Sequence, residues 1–120
     1  MQYALIIYEK TETFTNRQGE NAEVYWGAWT AYLGALQEAG VLQGGQALQP
    51  PTMATTVRLS DGKRLVQDGP YADTKEQLGG LFVLELPSLD EALQWAARCP
   101  AASDGAVEVR PLLLTPPRND

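Results

Sequence analysis

The chain has 120 residues, enough for one domain, and 44% of them are hydrophobic, which excludes a disordered chain. Fifteen acidic against nine basic residues give a net charge of −6, and no window supplies the basic stripe that a polyanion needs, so nucleic acid is excluded as a partner. There is no histidine and only one cysteine, Cys99, which removes the commonest general base, the Cys/His metal sets and any internal disulfide.

A lone cysteine fits a reducing compartment. The apolar run Tyr3 to Tyr8 lacks the basic lead of a signal peptide, and no stretch reaches the roughly 18 apolar residues of a membrane span. The sequence therefore predicts a cytoplasmic protein without membrane contact. A single domain is expected over residues 1–113, followed by a mobile tail at 114–120.

"YALIIYE" opens the chain as a strand that is apolar on both faces, so both faces are expected to be covered. "KTETFTNRQGEN" is polar and reads as a loop. From Asn21 to Ala39, apolar residues recur at steps of three and four through Tyr25, Trp29, Tyr32, Leu33, Leu36 and Ala39, which predicts a helix closed by a left-handed Gly40. "QGGQALQPP" reads as a connector, in which Gln49-Pro50-Pro51 is stiff. "TMATTVRLS", a tight "DGK" turn and "RLVQD" predict a hairpin. After a long polar loop, "GLFVLELP" predicts another strand. Ser88 and Glu91 form an S-x-x-E capping box ahead of a helix whose apolar stripe is Leu89, Ala92, Leu93 and Ala96, and Pro100 ends it. "GAVEVRPLLL" is the last strand.

With the hairpin set aside as an insertion, the order is βαββαβ. That predicts an α+β, ferredoxin-like antiparallel sheet with both helices on one face. Two helices leave the other face bare, and the first strand does not turn polar there. A face so apolar is expected to be covered by a second copy, giving a homodimer through the sheet faces; the inserted hairpin or the tail is the alternative cover.

The segment "DGPYADTKEQLGG" lies between two apolar runs and is longer than a hairpin requires. Asp68-Gly69-Pro70 forms a turn: aspartate caps local amides, glycine takes positive φ, and proline fixes its own φ. Functionally, that turn could aim Asp68 into a cleft as a general base or hydrogen-bond acceptor, for which it would need burial. Thr74 to Glu76 could open a short helical turn whose amides hold an anion, with Lys75 adding charge or standing solvated. Gly79-Gly80 fits a bend or bulge where the next strand starts. Glu108 and Arg110 share one face of the last strand, where they could line a pocket suited to a carboxylate or form a surface ion pair. Trp26, Trp29 and Trp95 fit the core better than a binding wall, and Cys99 fits packing. No phosphate-binding loop, dinucleotide fingerprint or nucleophile elbow is present, so no cofactor and no metal are expected.

"DGPYADTKEQLGG" closely resembles the DGPF motif of the YCII-related domain family, with Tyr71 in place of the usual phenylalanine and Asp73 in place of the usual glutamate. The flanking "GVLQGGQALQPPTMATTVRLSDGKRLVQ" and "LFVLELPSLDEALQWAARCP" are similar to the same family, and the resemblance runs from Gln2 to Pro111. It implies a dimeric α+β barrel with a cleft near the DGP segment as its active site, and a setting among sigma-factor genes. It also implies a histidine partner for the aspartate matching Asp68 in some relatives; with no histidine in this chain, that pair cannot operate. The candidate catalytic residue is Asp68. The candidate ligand-binding set is Asp68, Gly69, Pro70 and Tyr71, together with Lys75, Glu108 and Arg110. Three functions are expected in descending order: a dimeric small-molecule-binding domain of accessory or regulatory type, a cofactor-free enzyme with Asp68 as acid/base, and an interaction module partnered by a sigma factor.

Overall fold

The computed structural model describes residues 1–113; the predicted tail at 114–120 lies outside the described residues. The order of elements is β1 (Gln2–Lys10), α1 (Ala22–Glu38), β2 (Leu42–Ala47), β3 (Thr55–Ser60), β4 (Lys63–Asp68), β5 (Glu76–Glu85), α2 (Leu89–Arg98) and β6 (Ala106–Pro111). β2, β5, β1 and β6 form an antiparallel sheet in that order, and β3 and β4 form a separate two-stranded ribbon. This is the ferredoxin-like α+β fold with the expected hairpin inserted between its second and third sheet strands.

The period of two along β1 sets the layers. Tyr3, Leu5 and Ile7 are buried toward the helices, where they meet Trp29, Tyr32 and Leu36 of α1, Leu84 of β5 and Ala92 and Ala96 of α2. The two helices are tied by the Tyr32 hydroxyl, which donates to the Trp95 carbonyl at 2.8 Å. Cys99 is buried in the same core, as its packing reading anticipates. Gly40 is left-handed at φ 72°, closing α1, and the β3–β4 turn places Asp61 and Gly62 both at positive φ, the backbone of a type I′ hairpin.

Four local expectations are corrected. "LQGGQA", read as part of a connector, is β2. Its two glycines and two glutamines have low strand propensity, but it gains a hydrogen-bonded edge against β5. The polar segment after Lys10 is a 3-10 helix, Thr11–Arg17, held by the buried ring of Phe14. β5 begins at Glu76, so no helical turn forms at residues 74–76. The register slips one residue where Ile7 pairs with Gly80 and Tyr8 with Leu78, leaving Gly79 as the extra residue of a bulge, as the double glycine suggests. In α2 the buried residues are Ala92 and Ala96, with Trp95 half-buried and Cys99 buried just past the helix end; Leu89 and Leu93 stand half exposed, because the small alanines are what bring the helix close to the sheet.

Ala4, Ile6, Tyr8, Leu81 and Val83 occupy the helix-free face, where none is fully buried and Leu81 is exposed. Among the described residues, no helix is long and apolar enough to cross a membrane.

Candidate functional site

Continuing the alternation of β1 by one step puts a carboxylate on the buried face. Glu9 follows Tyr3, Leu5 and Ile7 and is only 3% exposed. A buried carboxylate needs a counter-charge and hydrogen-bond donors. Both come from the segment that follows. Arg17, at the end of the 3-10 helix, places Nη2 at 3.3 Å from Glu9 Oε1, and the Tyr25 hydroxyl, from the first half of α1, lies 2.9 and 2.7 Å from the two carboxylate oxygens.

The guanidinium is fixed on every side. Its Nε donates to the Tyr25 oxygen at 3.4 Å, Nη2 donates to the Gly79 carbonyl at 3.3 Å, and Nη1 donates to the Leu48 carbonyl. It lies over the rings of Phe14, at 4.8 Å, and Trp26, at 5.7 Å. The Trp26 indole closes the loop by donating to the Arg17 carbonyl at 2.9 Å. Burial, followed by the hydrogen bond to Glu9, pushes the Tyr25 phenol up to about 12, so it stays a donor at neutral pH.

This cluster forms one end of a chamber of about 250 Å³ beneath α1. Its roof is Trp26, Trp29, Thr30 and Leu33, and Ile7, Leu42 and Phe82 add apolar wall. The chamber exists because the strands below it carry little side chain: Gly45 and Ala47 of β2, Gly79 and Gly80 of β5. These glycines cannot be filled in. A Cβ on Gly79 would sit 2.8 Å from Glu9 Oε1, and one on Gly80 would sit 2.6 Å from the Gln46 carbonyl oxygen. Trp29 is thus both core and chamber wall, whereas Trp95 belongs to the core alone.

Arg17, Trp26 and Ala47 also line a more open cleft of about 610 Å³, walled by Phe14, Leu48 and the stiff Gln49-Pro50-Pro51. Arg17 therefore lines both the chamber and this outer cleft. The same prolines border a third cleft, about 500 Å³, which reaches Pro70, Tyr71 and Gln77. Gln77 is buried, and its amide donates to the carbonyls of Ala72, at 2.7 Å, and Thr74, at 3.0 Å, which fixes the shape of the polar loop from within.

The residues singled out in the sequence divide into separate places. Asp68, Gly69, Pro70 and Tyr71 come together around a small cleft of about 290 Å³ beside Arg58 and Asp73. The turn is held by the Gly69 amide, which donates to Ala54 O at 2.7 Å, and by the Thr56 hydroxyl, which donates to Gly69 O at 2.9 Å. Gly69 needs its φ of 102° there. Asp68 is exposed, so the burial required of a base is not supplied. Lys75 is exposed on the loop and contributes its carbonyl, which accepts from the Thr11 amide at 3.1 Å. Glu108 and Arg110 pair with each other on the helix-free face, opposite Ile6 and Ala4. They do not join the Asp68 cleft, because β6 is the far edge strand and the ribbon springs from the β2–β5 side.

Sequence reasoning passed over Glu9, Arg17 and the role of Tyr25. The signal for Glu9 was available: a charge at an inward position of an otherwise buried strand. Arg17 had no such signal, since it lies in a polar segment that shows no periodicity.

Fold and site together define an α+β domain with a small, mainly apolar chamber ended by a buried carboxylate–guanidinium–phenol cluster. The chain belongs to the YCII-related domain family, whose pattern matches residues 1–115. An uncharacterized protein of Rhizobium meliloti (strain 1021) is 40% identical over 119 residues, spanning 98% of this chain and 96% of that protein. Among solved structures, 5-chloro-2-hydroxyhydroquinone dehydrochlorinase from Burkholderia phenoliruptrix AC1100, in complex with 2,5-dihydroxybenzoquinone, is similar in fold, with a TM-score of 0.55, 18% identity and 94% of each chain covered.

Proposed function

We propose that this protein is a small-molecule-binding domain whose ligand occupies the chamber beneath α1, with Glu9, Arg17 and Tyr25 as its polar anchor. The observation that carries this reading is the placement of a fully partnered buried ion pair at the end of an apolar cavity. Ligand pockets combine mostly apolar walls with a few fixed polar groups, and they commonly span about 300–1,000 Å³. A chamber of about 250 Å³ falls just below that range and suits a small metabolite. Because Glu9 and Arg17 neutralise each other, the anchor selects by hydrogen-bond geometry rather than by net charge.

The working unit in this reading is a homodimer through the helix-free sheet faces. The half-buried Ala4, Ile6, Tyr8 and Val83, with the exposed Leu81, form the apolar centre of such an interface, and the Glu108–Arg110 pair lies among its polar neighbours. An accessory or regulatory role follows if ligand occupancy alters that assembly.

A second reading, a cofactor-free enzyme, is favoured by one contact. Tyr25 and Glu9 line the chamber as a phenol and a carboxylate hydrogen-bonded to each other, the residue types that could exchange a proton with a substrate bound beside them. Asp68 would take that role only if a partner protomer covered it.

A thermal-shift screen of small metabolites against the wild type, Glu9→Gln, Tyr25→Phe and Asp68→Asn tests both readings. Stabilisation lost in the first two variants and kept in Asp68→Asn supports the chamber. Stabilisation lost only in Asp68→Asn moves the site to the polar loop. Turnover of a stabilising compound that stops in Glu9→Gln, with binding retained, selects the enzyme.

A further inference from the structure

The β3–β4 ribbon has no place in the chamber, and its sequence is at odds with its surroundings. Cα pairing puts Val57 opposite Val66 and Leu59 opposite Arg64, so all three aliphatic residues lie on one face of the ribbon. They are 57%, 56% and 76% exposed. The other face carries Arg58, whose guanidinium lies 5.4 Å from the ring centre of Tyr71, tying that side back to the polar loop of the same chain. A lone two-stranded hairpin is at best marginally stable in water and gains stability by laying an apolar face on something else. Its own protomer leaves Val57, Leu59 and Val66 uncovered.

We propose that the ribbon is an exchange arm, and that its Val57–Leu59–Val66 face packs against the helix-free sheet face of a second copy of this chain. This rests on the two-fold assembly proposed above. Charge selects that occupant. Toward its tip the ribbon carries Arg58, Lys63 and Arg64 against Asp61 alone, on a chain of net charge −6. The arm is basic and the body it leaves is acidic, so the arm is attracted to another body and repelled by another arm tip. The receiving face supplies apolar surface through Tyr8, Leu78 and Leu81, while its own charges balance, Glu76 lying across from Lys10 and Glu108 pairing with Arg110, so the attraction comes from the acidic body as a whole. Polyanions such as nucleic acid would match the basic tip but are repelled by the acidic body.

The test uses the full chain. Sedimentation of the wild type gives the dimer constant, and Val57→Glu/Val66→Glu is compared with Leu65→Glu on the opposite ribbon face, folding being checked by circular dichroism. The arm predicts dimerisation weakened about 30-fold or more in the double variant, the loss of an interface hot spot, and little change in Leu65→Glu. A benzophenone amino acid replacing Leu59, in an equal mixture of light and heavy isotope-labelled protein, should give mixed-isotope cross-links to β1 or β5. A dimer unaffected by Val57→Glu/Val66→Glu but broken by Ile6→Glu overturns the arm and leaves the sheet-face assembly standing. Cross-links confined to one chain overturn the arm as well. A wild type that stays monomeric at all concentrations overturns both.

Discussion

The Tyr25 hydroxyl lies 2.7 Å from Glu9 Oε2, a contact that joins the first half of α1 to the end of β1 across the wall of the chamber. Removing it leaves a buried carboxylate one donor short. Tyr25→Phe should therefore destabilise the fold by about 1–3 kcal/mol, the cost of a buried acceptor that loses its partner. Glu9→Ala should cost more, about 3–5 kcal/mol, since it leaves Arg17, 10% exposed at the side chain, without its counter-charge. Urea denaturation monitored by tryptophan fluorescence reads both. Equal stability of all three proteins would show that the cluster does not hold the chamber together.

Gly79 is the backbone side of the same contact. Alanine there brings a methyl to within 2.8 Å of Glu9 Oε1 and 3.4 Å of Arg17 Nη2, in a site with no free volume on that side. Gly79→Ala should cost about 1–3 kcal/mol by overpacking and should abolish any ligand-induced thermal shift. Gly44→Ala, where an added Cβ meets nothing within 4 Å, is the matched control and should stay within about 0.5 kcal/mol of wild type.

Alkaline pH should destabilise the protein through groups that burial keeps protonated. Burial raises the Tyr25 phenol from 10.0 to about 12 and the Cys99 thiol from 9.0 to about 11, and it raises Tyr32 as well. Each group holds its proton in the folded state at a pH where the unfolded chain has released it. The stability linked to these protons is thus complete below the unfolded values and is lost as pH rises through the folded ones. For Cys99 the window is 9 to 11, and for Tyr25 it is 10 to 12. Urea midpoints measured from pH 7 upward should stay level to about 9 and then fall, with Tyr25→Phe falling less steeply at the upper end. Cys99 should react with a thiol reagent at neutral pH only as fast as the protein unfolds.

The sequence showed five of the six elements of the βαββαβ order, the inserted hairpin and the helix-free apolar face, because those features rest on strong periodicities and turn residues. β2 was hidden because an edge strand can be held by its neighbour's hydrogen bonds with almost no side-chain signal, and Gly45 is required where the Phe82 ring lies against it. The stripe of α2 was half right: Ala92 and Ala96 make the close approach to the sheet as read, whereas Leu89 and Leu93 stand half exposed, because periodicity favours large residues where small ones pack. The DGP turn was legible as a turn. The chamber was not, because it is made by absent side chains on two strands far apart in sequence, and its polar end joins residues 9, 17 and 25 only after the 3-10 helix folds back.

Two substitutions separate local order from the site. Ser88 Oγ accepts from the Glu91 amide at 3.2 Å at the start of α2, so Ser88→Ala should cost about 1 kcal/mol in urea denaturation. Asp68→Asn alters an exposed side chain and should leave stability within about 0.5 kcal/mol of wild type. A larger loss in Asp68→Asn would reveal a structural duty for the turn beyond its backbone contacts.

The most direct measurement is a nitrogen–proton correlation spectrum of the labelled protein titrated with compounds that raise its melting temperature. Shifts concentrated on the Trp26 and Trp29 indoles, the Arg17 Nε–H and the Gly79 and Gly80 amides are the predicted result. Shifts confined to residues 68–76, with those signals unmoved, would contradict a ligand site beneath α1.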